Sequence, residues 1–330
     1  MATFARGVIV LAIWLALAVP VTAQTPPHPL AGKIFAARTG VLTDLSNPAV
    51  VGALFPCGAI TLLGEVHDNP EHHRMRGDLV RGLTNDGELS ATCRLRSFIF
   101  EHISADQDQK LNSFYETWPN PDDPEVTQRL FSMLEWDKSG WPSRHMFVPL
   151  MSEIIRHGGA IVAGNPKRDV TRMIAREGLG TLDPPLVAGL GLDRPVPDAH
   201  RDGLLHELEA SHCGLVPKSA FGNMAAAQRY RDAHIAEAAL KAAAAIPGAV
   251  VFAGNGHVRT DRGVPYYIKQ RAPHRMVIAV TFTEVEDGNT DPALYGPRDA
   301  TGRPATDYVA FAAPAAREDP CEAMRKMFGK

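Results

Sequence analysis

Ile60-Thr61-Leu62-Leu63-Gly64-Glu65-Val66-His67-Asp68-Asn69-Pro70 is the stretch that decides the fold. Four residues with β-branched or apolar side chains run into a glycine, the pattern of a strand buried on both faces that ends at Gly64. Glu65 and His67 then stand at the strand's carboxyl mouth. Asp68 or Asn69 can cap the next helix, and Pro70 fits its first turn, where a missing N–H costs nothing. Ala249-Val250-Val251-Phe252-Ala253-Gly254-Asn255-Gly256-His257-Val258-Arg259 repeats the logic. Two strand ends, two glycine turns and two histidines are thereby predicted to meet at one edge of one sheet. Open α/β sheets bind their ligands outside the carboxyl ends of their strands.

Similar punctuation continues outward. Residues 97–100 form a second apolar strand, with Glu101-His102 at its C-terminal end. Residues 160–163 lead into Gly164-Asn165-Pro166-Lys167-Arg168, which puts Asn165 and Arg168 at a strand mouth as well. Further strands are predicted over 250–253 and 275–282. Helical spacing over 71–83 aligns Met75, Leu79 and Leu83 on one face. Other helices are predicted over 106–115, 124–134, 147–157, 169–176, 204–211 and, rich in alanine, 224–245. On the last, Met224, Gln228, Asp232, Ile235 and Ala239 share a face. A polar pair inside an apolar stripe makes buried hydrogen bonds or lines a pocket. Short strands alternating with helices predict an α/β fold, a mostly parallel β-sheet flanked by helices. A smaller helical cap subdomain is expected from about 104–157 and 196–246. Residues 180–200 read as loop, and 286–330 as an irregular tail.

Composition narrows the class. Hydrophobic residues make up 45% of the 330, ordinary for a globular protein. A formal net charge of −3 and the lack of any Lys/Arg block argue against nucleic acid as a partner. Arg6, the apolar run 8–21 and the small residues of Val21-Thr22-Ala23 form a signal peptide over 1–23, so the chain is expected to be exported, periplasmic or secreted. No cysteine stands at that junction to carry a lipid anchor. Four cysteines allow three pairings, and export permits disulfides. Cys57 immediately precedes the first core strand and Cys93 lies shortly before the next. The favoured pairs are Cys57–Cys93 and Cys213–Cys321, with free buried thiols as the alternative.

Glu65, His67, Glu101 and His257 are the strongest chemical set. Imidazole nitrogen and carboxylate oxygen ligate zinc, manganese or iron, and equally supply a base and an acid. His72 and His73 either face the same mouth or form a solvated pair. His212 and Tyr230 are candidates for haem iron, which both imidazole and phenolate ligate. Arg156, Lys167 and Arg168 can pair with anionic groups or lie on the surface. There is no G-x-S-x-G elbow, no G-x-G-x-x-G, no H-E-x-x-H and no C-x-x-C-H.

At Leu62-Leu63-Gly64-Glu65-Val66-His67-Asp68-Asn69-Pro70-Glu71-His72-His73 the chain resembles the ChaN-like haem-binding uptake family. Phe100-Glu101-His102, the block from Met224 to Ala236, Gly254-Asn255-Gly256-His257-Val258-Arg259 and Gly263-Val264-Pro265 extend the resemblance over roughly 30–282. It implies one ChaN-like domain over 30–285 and a haem-binding protein of the cell envelope that serves haem or iron uptake. The implied partners are haem, a second copy of the chain and an envelope transport protein. The founding member holds haem iron through a tyrosine, for which Tyr230 is the nearest candidate here. On this reading His67, His72, Asn165, Arg168, His212, Gln228, Tyr230, Asp232 and His257 hold the haem. The wider superfamily resembles the Tiki metalloproteases with their paired Gly-x-x-His motifs, which Gly64–His67 and Gly254–His257 fit. That alternative is a metal-dependent hydrolase, with Glu65, His67, Glu101 and His257 on manganese or zinc. A binding module that keeps only the fold is the third class. The residues alone leave turnover open.

Overall fold

The computed structural model describes residues 27–85, 93, 96–117 and 120–327; the signal peptide expected over 1–23 and Trp118 lie outside them. Among the described residues one sheet holds eight strands: β1 (Lys33–Ala36), β2 (Val41–Asp44), β3 (Ile60–Leu63), β4 (Ser97–Ser104), β5 (Ala160–Asn165), β6 (Ala249–Phe252), β7 (Val277–Glu284) and β8 (Tyr308–Ala312). Their order is β2-β1-β8-β7-β3-β6-β4-β5. From β8 to β5 every neighbouring pair is parallel, while β1 joins both β2 and β8 antiparallel. The expected α/β fold with a mostly parallel sheet is the one observed. Leu63 lies opposite both Phe252 and Val280, and Phe100 opposite Phe252. β3 and β6 therefore end level, β4 and β7 run on past them, and all four carboxyl ends lie at one edge.

Eleven helices connect the strands: α1 (Pro48–Leu54), α2 (Pro70–Asn85), α3 (Asp108–Glu116), α4 (Val126–Met133), α5 (Arg144–Arg156), α6 (Arg168–Glu177), α7 (Pro184–Gly189), α8 (Asp198–Ser211), α9 (Phe221–Ala245), α10 (Val264–Arg271) and α11 (Pro320–Met327), counted among the described residues. Successive side chains of a strand point to opposite faces. Leu63, Phe98, Phe100, Val250 and Phe252 pack under α1 to α5. Ile60, Leu62, Ile99, Val251 and Ala253 pack under α6, α9 and α10. Both faces of the central strands are covered, which is why these strands read as unbroken apolar runs. None of the described helices is long and apolar enough to cross a membrane.

The structure corrects several expectations. The stretch 104–157 is no cap beside the sheet. Its helices bury their apolar stripes on one sheet face, and α9 covers the other. β4 runs on to Ser104, so Glu101 and His102 lie inside a strand rather than beyond it. The expected tail, 286–330, supplies β8 and α11. Tyr308–Ala312 is a short apolar run whose Gly- and Pro-rich flanks hid it. β7 is Val277–Glu284, two residues later than predicted. The short helix α7 interrupts the expected loop over 180–200.

Beyond β8 the chain turns back across the carboxyl edge as a strap. Asn69 donates to the Ala313 carbonyl at 3.0 Å, and the Ala315 amide donates to Glu284 at 3.1 Å. Arg317 bridges Asp68 at 2.9 Å and Glu284. Cys321 then bonds Cys213 at the end of α8, and Cys57 bonds Cys93, so both favoured pairs are present and no cysteine is free. The bonds span 36 and 108 residues. Native disulfides typically contribute about 2–4 kcal/mol each. Replacing Cys57 and Cys93 together by Ser should lower the urea-unfolding free energy by about that amount. The native protein should meanwhile show no thiol reactive toward a chromogenic disulfide reagent until it is unfolded and reduced.

Candidate functional site

Strand alternation builds the mouth as two adjoining networks. Continuing the period of β3, Glu65 faces the same side as Leu63, toward α2. On β4, Glu101 follows Ile99 toward α9, whereas His102 follows Phe100 toward α2 and α5. One dipeptide thus feeds both sides.

On the α2 side everything converges on the Glu65 carboxylate, which is buried. Its Oε1 accepts from His67 Nδ1 at 2.6 Å and from His102 Nε2 at 2.7 Å. Its Oε2 pairs with the guanidinium of Arg76, itself buried, and has His73 Nδ1 at 3.5 Å. Arg76 also donates to His73 Nδ1 at 2.6 Å, while His73 Nε2 donates to the His67 carbonyl at 2.9 Å. His72 Nδ1 accepts the Val66 amide at 3.0 Å. His72 and His73 are therefore not a solvated pair; both are buried and fix the Glu65–His67 turn. Trp141 closes this side, its ring 5.0 Å from His67 and 4.7 Å from His102.

On the α9 side Glu101 Oε2 accepts the Gly254 amide at 2.7 Å. Its Oε1 pairs with Arg231 and lies 3.2 Å from His257 Nε2. The other His257 nitrogen donates to Asp232 at 2.6 Å, and Gln228 lies 3.3 Å away. Arg231 reaches on to Asn165 at 3.0 Å and Gln228 at 3.2 Å. The glycines make the junction possible. A Cβ on Gly254 would fall 2.8 Å from His67 Nε2, and one on Gly64 would fall 2.3 Å from Asn255 Oδ1. His67 is the bridge between the networks and, at 37% side-chain exposure, the most open imidazole of the mouth.

Glu65, His67, Glu101, Asn165, Gln228, Asp232 and His257 are thus brought together. Arg168 is not; its amide donates to Asp106 at the start of α6. His212 bonds the Leu208 carbonyl of its own helix and tilts against Phe221. Tyr230 sits in the core beneath α6, on the far side of α9 from Gln228 and Asp232, because residues two apart on a helix point to opposite sides. Sequence reasoning passed over His102, Arg76, Arg231 and Trp141 as site residues. Arg76 carried a readable signal: it precedes Leu79 by three and Val80 by four, inside the apolar stripe of α2. A charge in such a stripe requires a buried partner.

A second feature lies outside the mouth. A cavity of about 450 Å³ opens between α8, α9 and α10. Leu204, Leu205, Ala225 and Ala226 give it apolar walls, and Tyr266 stands in it edge-on to His200, the ring centres 5.6 Å apart. Arg194 donates to the Gln270 carbonyl, and Arg229 to the Tyr267 hydroxyl and the Leu192 carbonyl. Among the described residues neither has a carboxylate partner. Arg201 and Arg262, also in the wall, are each paired with acidic side chains. A larger cavity of about 860 Å³ between α1 and α2 has no imidazole or phenol in its lining, and its Arg74 is paired with Glu71 and Asp78.

The mouth sets a stability optimum. Burial and the nearby Arg76 charge depress His72 to about 4 and His73 to about 3. Burial also opposes the charge on His257, but Glu101 and Asp232 outweigh it and raise that group to about 9. Burial works against the charge on Glu65 too, yet Arg76 and His102 hold the carboxyl well below its usual range; His257 and Arg231 do the same for Glu101. Depressed groups add stability above their unfolded pKa and lose it as pH falls, so His72 and His73 weaken the fold from about pH 6.5 downward. The two carboxylates add to that acid limb below about pH 4.5. A raised histidine contributes fully below about 6.5 and loses its contribution as pH rises toward its folded value. Melting temperature measured from pH 4 to 10 should peak near neutrality, and His257→Gln should flatten the alkaline limb. A melting temperature that climbs steadily to pH 10 would contradict this balance.

One solved structure shares this fold, and a family model matches the sequence. A sequence model described as "Haem-binding uptake, Tiki superfamily, ChaN" matches residues 58–268, more than half of the chain. Among solved structures, one titled "Cofacial heme binding to ChaN of Campylobacter jejuni" superposes with a TM-score of 0.63 at 18% identity, over 84% of this chain and 95% of that one. The type III effector HopBA1 aligns with a TM-score of 0.38 at 13% identity, over 81% and 92% of the two chains. None of the curated proteins compared matches. The Campylobacter likeness extends to the fold, and the two Gly-x-x-His turns lie inside the matched segment. With the family match covering both strand mouths and everything between them, the chain belongs to the ChaN haem-binding uptake family of the Tiki superfamily.

Proposed function

We propose that this protein binds haem non-covalently, as cargo in haem or iron handling at the cell envelope, and that the haem lies in the α8–α9–α10 groove rather than in the mouth. The observation that carries this is the groove's chemistry: apolar walls, a phenol, and two arginines without carboxylate partners among the described residues. Haem is a flat apolar ring edged by two propionates, and a cavity of about 450 Å³ is within the range of small-molecule sites. Arg194 and Arg229 match the propionates, since arginine pairs with carboxylates through parallel hydrogen bonds. Tyr266 supplies a phenolate and His200 an imidazole, both ligands known for haem iron.

The mouth fits haem poorly. Glu65, His72, His73, His102, Glu101, Asp232 and His257 are all buried and paired with one another or with neighbouring backbone and arginines, which leaves no open apolar face for a flat ring. Tyr230, first expected on the iron, is enclosed in the core, and burial raises its pKa further from the phenolate form. Export to an oxidising compartment agrees with the two disulfides and with the apolar N-terminal run. A second copy could cover the exposed face of a haem held in an open groove, and an envelope transport protein could take it over.

Titrating the protein with haemin tests the reading. A Soret shift saturating at one haem per chain is expected. Tyr266→Phe should weaken binding at least about tenfold, as loss of an iron ligand does, and Tyr230→Phe should leave it unchanged. Arg194→Ala with Arg229→Ala should abolish any preference for haem over its dimethyl ester. No saturable shift would end the proposal. One observation favours a second reading, a metal-dependent hydrolase: ligand atoms of Glu65, His67 and His102 lie within 4.8 Å of one another.

A further inference from the structure

Three donors so close together invite a divalent ion. The atoms that face one another across Glu65, however, are already committed. Both nitrogens that face Glu65 Oε1, His67 Nδ1 and His102 Nε2, act as donors to that oxygen. A metal ligand must present its lone pair instead, and metal binding therefore requires these protons to leave. The remaining oxygen, Oε2, is taken by Arg76. That guanidinium is fully buried and its carbon lies 5.4 Å from the centre of the Phe252 ring, a face that attracts cations. Across the junction the arrangement recurs, with Arg231 on Glu101.

We infer that Arg76 and Arg231 occupy the role of the metal in this mouth: each guanidinium neutralises the buried carboxylate that a divalent ion would otherwise hold. The donor set does not fit zinc or manganese. A divalent ion added to Glu65 would bring two more positive charges beside a carboxylate already matched, in a region closed to water, where unmatched charge is strongly unfavourable. The site is a latent one. Removing the Arg76 charge frees Oε2 and leaves Glu65 seeking a cation, with His67 and His102 at ligand distance.

The test uses Zn²⁺ and Mn²⁺ on the EDTA-dialysed protein and involves no haem, so its outcome is independent of the haem proposal. The wild type should carry no stoichiometric metal as purified. Its melting temperature should move by less than about 1 °C with either ion, since only a ligand bound to the native state stabilises it. Arg76→Gln should bind one Zn²⁺ at least about tenfold tighter than wild type by calorimetry, a gain lost again when His102→Ala is added. Should Arg76→Gln not fold in EDTA, refolding rescued by Zn²⁺ carries the same meaning, and Arg76→Lys, which keeps the charge, should not respond. Stoichiometric zinc or manganese in the wild type that disappears in His67→Ala overturns the inference. So does an Arg76→Gln protein that folds and gains no affinity.

Discussion

The buried contact between Glu65 and Arg76 is the constraint on which the rest of the site depends. A carboxylate and a guanidinium with no access to water are tolerable only when matched and hydrogen-bonded. Matching Glu65 commits α2, the helix that starts at Pro70 and carries Arg76 on its buried face. It commits His67 and His102, which bond the oxygen Arg76 leaves free. It commits Trp141 and Phe147, whose rings pack on His102 and keep water from the pair. The close approach of the two glycine turns is then a geometric consequence rather than an additional requirement.

That dependence explains what could and could not be read from the sequence. The strand mouths were legible because each is an apolar run ending in glycine, a local pattern with a local cause. The parallel sheet was legible for the same reason, and Cys57–Cys93 because each cysteine stands shortly before a core strand. His102 was visible but misplaced. Ending β4 at Phe100 put Glu101 and His102 side by side in a loop, whereas a continued strand sends them to opposite faces. Tyr230 was a candidate for its phenol alone and Arg231 went unread; they are neighbours in sequence, but Arg231 meets Glu101 and Tyr230 the core. The groove was not legible at all. Arg194, His200, Arg229 and Tyr266 come from a loop and three helices, and only tertiary packing brings them together.

The mouth and the groove share α9. Gln228, Arg231 and Asp232 serve the first, while Ala225, Ala226 and Arg229 line the second. Small side chains at 225 and 226 keep the groove open, and the polar residues a turn later are held by the buried network. The orientation of α9 about its own axis is therefore set by the mouth, and the groove inherits it. A rigid closed centre beside an open apolar cleft is a reasonable division of labour for a fold whose relatives are described by what they carry.

The two disulfides divide the chain in a way that bears on its assembly. The loop closed by Cys57 and Cys93 contains Glu65, His67, His72, His73 and Arg76. The loop closed by Cys213 and Cys321 contains Gln228, Arg231, Asp232, Gly254 and His257. Each half of the mouth is thus confined to its own covalent ring, and Glu101 and His102 belong to neither. Once both bonds have formed, even an unfolded chain holds each half at high effective concentration. The oxidised chain still has to pair β3 of one ring with β6 and β7 of the other, and to add β4 and β5, which lie in neither. β4 brings Glu101 to one half and His102 to the other, so the register in which it pairs with β6 decides whether both networks close.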